Sequence, residues 1–264
     1  MLRLIFAGIF IVFVTGCATS IPVQKEAVNL NLEYTSSSPK GEATGKVFAL
    51  ISPDFGSNSD ASSTKPNGKV ANSLIASLIA GQQQFAGTYA NAALQSKYQA
   101  RLRLAMQNGL EELVSKRGFN VKGPFGTFDD MSYGEKKAAY LAVVPKLTLY
   151  FDEQITNQDC SNRGLNCFAE GNFSLAGELL LRVVEPLTGQ AVLTKRIDLN
   201  SFNIAKKYRR EFQARTQSNG LDGALIDKMF APKELHDNSE RAVVEAVNEF
   251  YQLAMGKIDN LLSR

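Results

Sequence analysis

The run Phe173-Ser174-Leu175-Ala176-Gly177-Glu178-Leu179-Leu180-Leu181-Arg182-Val183-Val184 sets Leu175, Leu179, Leu181 and Val183 on one side of an extended chain. That period of two marks a strand with one face in a core. Directly after it, Glu185-Pro186-Leu187-Thr188-Gly189 makes a turn, because proline presets one backbone angle and glycine permits a positive φ. The chain returns through Val192, Leu193, Ile197 and Leu199. Upstream, Tyr140-Leu141-Ala142-Val143-Val144 leads into Leu147, Leu149 and Phe151 alternating with Thr148, Tyr150 and Asp152, a longer strand. Three consecutive antiparallel strands follow. The stretch Glu153 to Asn172, between the first two, reads as a loop with Cys160 and Cys167 at the tip of the hairpin.

Helices flank this unit on both sides. From Ser96 onward Tyr98, Leu102, Ala105, Leu110 and Leu113 recur at helical spacing, and Gly118 stands where a C-terminal cap belongs. Ser132 and Glu135 have the spacing of a capping box for a short helix. A last helix opens near Asp237, with Glu240 at capping distance, and carries Val243, Val247, Phe250, Ala254, Ile258 and Leu261 as an apolar stripe. Earlier, Val28, Leu30, Leu32 and Tyr34 alternate with polar residues like a half-wet strand, Lys46 to Ser52 reads as a buried strand, and Phe119 and Val121 form a short strand that ends at a turn, Gly123-Pro124-Phe125-Gly126. Asp54 to Gly68 is a polar surface insertion, and Val70 to Leu94 a helix or helical hairpin broken at Gly81 and Gly87. The expected architecture is a two-layer α/β (α+β) sandwich, a mixed, partly antiparallel sheet with long helices on one face. It occupies 27–264 as a single domain with a polar insertion near 54–95.

The N-terminus carries an address. Arg3 precedes the uncharged apolar run Leu4 to Val14, which is too short to span a bilayer and ends in Thr15-Gly16-Cys17. This pattern resembles a bacterial lipobox. The resemblance implies a signal peptide over 1–16, acylation of Cys17, and a lipid-anchored tether over 17–26. More than one acyl chain holds a protein stably at a membrane. Ala18, in place of an aspartate, favours the outer membrane over inner-membrane retention.

The other two of the three cysteines, Cys160 and Cys167, form an even set in an exported chain, for which a disulfide is the natural pairing. Two free thiols or half of a metal site are the rivals. The formal net charge of +3 on 264 residues gives no argument for a nucleic-acid partner. The only histidine, His236, stands at the entry to the last helix, so no nucleophile and base can be paired. Asp129-Asp130 and Asp152-Glu153 are neighbouring carboxylates, but adjacent strand residues point to opposite faces. No phosphate loop, cofactor motif or metal-ligand spacing is present, and the expectation is a protein that is not an enzyme. One charge cluster, Lys206, Lys207, Arg209, Arg210 and Arg215 with Tyr208 and Phe212 between, suits an anionic ligand or is a solvated helix face, on which Lys206 and Arg210 share a side. The run Gln82 to Gln84 is a partner-binding flap or part of the insertion.

Glu26 to Tyr34 (EAVNLNLEY), Ser132 to Val143 with Lys136-Lys137 and Tyr140-Leu141-Ala142-Val143, Val184 to Gly189 (VEPLTG) and the terminal helix together resemble the neuraminyllactose-binding hemagglutinin lipoproteins, or flagellar sheath adhesins. The resemblance implies an α/β fold, a place in the outer membrane or flagellar sheath, and an adhesin named for sialylated glycans. Where it implies a lysine- and arginine-rich binding segment after the YLAV strand, this chain reads Asp152-Glu153-Gln154-Ile155-Thr156-Asn157-Gln158-Asp159. That segment is acidic and repels a carboxylate ligand, so no binding residue is carried over from it and weak or no affinity for sialyllactose is expected. Envelope or sheath proteins are the other partners the resemblance admits. A periplasm-facing accessory lipoprotein that regulates an envelope complex is the alternative reading.

Overall fold

The computed structural model describes residues 21–26, 28–55, 98–161, 165–213 and 232–263. The expected signal peptide over 1–16, Cys17, the polar insertion beyond Phe55, the run Gln82 to Gln84, the helical reading of Val70 to Leu94 and Arg215 lie outside them. Along the chain come β1 (Val23–Lys25), β2 (Val47–Ile51), β3 (Asp54–Phe55), helix α1 (98–116), β4 (Asn120–Phe125), α2 (Tyr133–Ala138), β5 (Leu141–Ser161), β6 (Asn166–Val184), β7 (Ala191–Asp198), a 3-10 turn (Leu199–Phe202), β8 (Ile204–Phe212), β9 (Leu235–Asp237) and α3 (Ser239–Leu262). The strands form one mixed sheet in the order β1-β9-β8-β6-β5-β2-β4, with β3 also beside β5 and β7 also beside β6. Its spine is the antiparallel β5–β6 hairpin, and β2 joins β5 in parallel. This is the expected mixed α/β architecture.

Burial alternates without a break from Asn166 to Leu181 on β6. The odd-numbered residues, among them Phe173, Leu175, Leu179 and Leu181, face the helices. Tyr98, Leu102, Ala105, Leu110 and Leu113 of α1 and Val243, Val247, Phe250, Ala254 and Ile258 of α3 meet them in one core, the two apolar stripes read from the sequence. The helices approach closely, with the Tyr251 hydroxyl donating to the Ala105 carbonyl at 2.9 Å. Among the described residues, the opposite face of the sheet is covered at one end only. There Phe125, Phe128, Met131 and Ala139 pack on Ala49, Ile51, Ala142 and Val184. The Ser132–Glu135 capping box that opens α2 is present in both directions.

Four local expectations are corrected. The span Glu153 to Asn172 is not a loop: the β5–β6 ladder continues through Ser161↔Asn166. Its outer half carries polar residues on both sides of β5, so the apolar alternation that marks a strand is missing. β4 continues through Gly123 and Pro124 instead of turning there. It lies at the end of the strand order, where a missing proline N–H is tolerated. The last helix starts at Ser239, and the Asp237 carboxylate accepts from the Ser239 N–H and hydroxyl. His236 accordingly lies on β9, exposed to solvent.

The fourth correction concerns Val28 to Tyr34, which is extended but joins no ladder. It runs along α3 as a strap, with Val28, Leu30, Leu32 and Tyr34 turned toward the core. Period-two burial requires only an extended chain on an apolar surface, and here that surface is a helix. Polar ties hold the strap at successive levels of α3: Arg241 to Glu26, Asn248 to the Asn29 carbonyl, and Gln252 to the Glu33 carbonyl. The strap ends at Asp259, whose buried carboxylate accepts from Tyr34, Ser36 and Ser38 and pairs with Arg117 at 2.6 Å.

Candidate binding face

Beyond the covered end, no described residue packs on the sheet face opposite the helices over the outer halves of β5 and β6 and the adjoining β8. The ladder registers fix what it displays. Lys207 pairs with Asn172, which pairs with Gln154, so these three form one row across β8, β6 and β5. The next row toward the hairpin tip is Arg209–Glu170, with Asn157 across from Glu170. On the other side lie Ser174 and Asp152, then Tyr150, which is 47 % exposed. Neighbouring strands stand ~4.8 Å apart and same-face residues ~7 Å apart along a strand, so the face is a flat polar grid.

Two rows of this grid differ in kind. Arg209 reaches Glu170 at 2.7 Å and Glu211 at 3.6 Å and lies over the Phe168 ring at 4.2 Å, while Asn157 donates to the other Glu170 oxygen at 3.1 Å. The hydrogen bonds from Asn157 and Arg209 lower the Glu170 pKa below the usual carboxylate range. That row is satisfied internally. In the neighbouring row, the side chains of Lys207, Asn172 and Gln154 have no hydrogen bond or ion pair among the described residues. An ammonium and two amides together offer donors and acceptors to a polar ligand, and Tyr150 stands two rows away on the same face.

The charge cluster therefore sits on a strand, not a helix, and alternation divides it. Lys207 and Arg209 face the open side, whereas Lys206 and Arg210 share the helix side. There Lys206 pairs with Glu249 of α3 at 2.6 Å and Arg210 lies 3.8 Å from Glu153. The same carboxylate accepts the buried Tyr208 hydroxyl. Burial, reinforced by Glu153, pushes the Tyr208 pKa up, so this phenol stays protonated. Gly171 leaves room for the contact, since a Cβ there would come within 2.7 Å of the Tyr208 hydroxyl. Three of the four named cations are thus matched by carboxylates. Asp152 and Glu153 diverge to opposite faces, as their adjacency on a strand requires.

Cys160 and Cys167 stand directly opposite one another near the tip and form a disulfide. Among the described residues no group of three or more His, Cys, Asp or Glu side chains is placed to hold a metal ion. Sequence reasoning missed the open face because the β8 signal is mixed. Ile204, Tyr208 and Phe212 recur every fourth residue, a spacing shared by a strand face and a helix face, and charges fill positions between them.

The family model of the neuraminyllactose-binding hemagglutinin precursor matches residues 88–264. The chain belongs to the neuraminyllactose-binding hemagglutinin family. Hemagglutinins of that name from Helicobacter pylori strain 26695 and strain J99 are each 24% identical to it, over 96% of this chain and 85% of the first, and 98% of this chain and 87% of the second. A solved neuraminyllactose-binding hemagglutinin homolog from Helicobacter pylori has the same fold, with a TM-score of 0.51 at 15% identity over 89% of this chain and 95% of that one. The matched region of the family model includes the whole β5–β6–β8 platform.

Proposed function

We propose that the chain is a non-enzymatic, lipid-anchored binding protein of the outer membrane, an adhesin or flagellar-sheath component whose ligand-facing surface is the open β5–β6–β8 face. The observation that carries the reading is the near full-length similarity to proteins named for binding neuraminyllactose and agglutinating red cells. The bare polar grid and the lipobox at Cys17 support it. No helix among the described residues is long and apolar enough to cross a membrane, and the acyl chains on Cys17 supply the attachment.

Two outcomes are expected. Cells fed radiolabelled palmitate will label the wild-type chain, and Cys17→Ala will lose the label. An unlabelled wild type, or undiminished label on Cys17→Ala, contradicts the anchor. Sialyllactose, titrated by calorimetry, will bind with a Kd weaker than about 1 mM. Lys207 is the member of the four-cation cluster left for a sialic acid carboxylate, and Asp152 stands one row beyond its neighbour Asn172, where it opposes an anion. Micromolar, saturable binding that disappears when Lys206, Lys207, Arg209 and Arg210 are neutralised together would overturn this expectation.

A further inference from the structure

The ladder registers also determine at which end of the sheet the N-terminal strand enters. Val23 pairs with Leu235 and Lys25 with Asp237 in the parallel β1–β9 pair. Asp237 pairs with Arg210 in the antiparallel β9–β8 pair, so Leu235, two residues back, stands level with Phe212. Phe212 pairs with Cys167, and Cys167 with Cys160. Val23 therefore stands at the level of the disulfide rung, across the width of the sheet.

Chain direction completes the argument. β5 runs toward the hairpin tip, β6 and β9 run away from it, and β1 is parallel to β9. Going backward from Val23, the chain leaves the sheet on the tip side, and the Pro22 carbonyl still accepts from the Leu235 N–H at 3.0 Å. Only five residues separate Cys17 from Pro22, inclusive of Cys17 itself, and fully extended they reach ~18 Å. β6 has 19 residues, which places the Glu185–Gln190 turn ~60 Å from the tip.

We infer that the β5–β6 hairpin tip, with the Cys160–Cys167 disulfide, is held against the lipid headgroups of the anchoring bilayer. The Glu185–Gln190 turn and the Asp259 end of α3 point away from it. The partner surface is the membrane itself, and the short tether is the cause. The charges at this end are of both signs, Lys25, Lys233 and Arg241 beside Glu26, Glu234 and Glu211, so proximity does not require anionic lipid. Val23, 47 % exposed where the tether enters the sheet, suits a headgroup boundary. The open binding face then stands upright from the bilayer, with the Lys207 row above the tip.

The inference rests on Cys17 as the attachment point, and its test is independent of whether cells acylate that residue. The mature chain 17–264, with Cys160 and Cys167 bonded to each other, is coupled through the Cys17 thiol to a maleimide lipid in phosphatidylcholine vesicles. A coumarin-bearing amino acid is incorporated at position 161 or at position 187, and quenching by nitroxide-headgroup lipid is read. Quenching is expected at 161 and not at 187. A flexible Gly/Ser insert of about twenty residues after Ala18 adds a root-mean-square reach of ~25 Å and is expected to abolish quenching at 161. Equal quenching at the two positions, stronger quenching at 187, or quenching at 161 that survives the insert would overturn the inference. Loss of palmitate label in cells with the vesicle result intact would instead overturn the anchor and leave the geometry standing.

Discussion

Asp259→Ala is expected to lower the free energy of unfolding by about 3 to 5 kcal/mol, the range for removing one partner of a buried ion pair. The carboxylate is 5% exposed and faces Arg117, itself 14% exposed, at 2.6 Å. It also accepts from the Ser36, Ser38 and Tyr34 hydroxyls, so its loss strands one guanidinium and three donors together. Arg117 keeps bonds to the Leu113, Leu262 and Asp259 carbonyls, which occupy three of its five N–H groups but do not balance its charge. Because the site joins the strap to the C-terminal ends of both long helices, the loss should appear as a lower urea midpoint and as earlier proteolysis between residues 28 and 46.

The same cluster sets an acid dependence. Burial opposes ionisation of Asp259, but hydrogen bonds from Ser36, Arg117, Ser38 and Tyr34 outweigh it and lower the pKa from 3.8 to about 2. A carboxylate held below its unfolded pKa stabilises the fold fully above that unfolded value. The contribution, about 2 kcal/mol, disappears as pH falls from about 4 toward 2. Urea unfolding as a function of pH should therefore show a fall in this window for wild type that is much reduced in Asp259→Asn.

Gly177→Ala is expected to cost about 4 kcal/mol, combining a strained backbone with an overpacked interior. Gly177 lies where β6 changes neighbours, from β8 up to Leu175 to β7 from Glu178 onward. The chain adapts with φ +142°, and the Asn200 side chain accepts from the Gly177 N–H at 3.4 Å. A Cβ here would lie 2.0 Å from the Thr148 carbonyl oxygen and 3.2 Å from the Leu149 Cα. Those atoms belong to the β5 backbone and cannot rotate away. Ala176→Gly, one residue earlier on the polar face, meets no such obstacle and should cost only ~1 kcal/mol. Parallel urea titrations of the two variants check the contrast.

The parts of the fold legible in sequence are those whose burial has one simple period. Leu175, Leu179 and Leu181 could only be a strand facing a core, and Val243, Val247, Phe250 and Ala254 only a helix face. The disulfide was legible because three cysteines, one of them in a run that resembles a lipobox, leave a pair. Two kinds of segment resisted. Val28 to Tyr34 has the correct period but no ladder, because sequence records the burial of an extended chain and not the kind of surface that buries it. Ile155 to Asp159 has the ladder without the period, since β5 is exposed there on both sides. The candidate face takes Asn157 from that second kind, while its cations come from β8. Lys207 and Arg209 carry no sequence mark distinguishing them from Lys206 and Arg210. Only the alternation of β8 and the positions of Glu249, Glu153 and Glu170 divide them into engaged and available charges.

Protease added to intact cells tests the central proposal, a lipid-anchored domain displayed at the outer surface for binding. Cleavage of the wild-type domain while a periplasmic marker stays whole, with membrane retention lost in Cys17→Ala, is the predicted result. Full protection on intact cells, with cleavage only after the outer membrane is permeabilised, would place the domain in the periplasm and contradict the account.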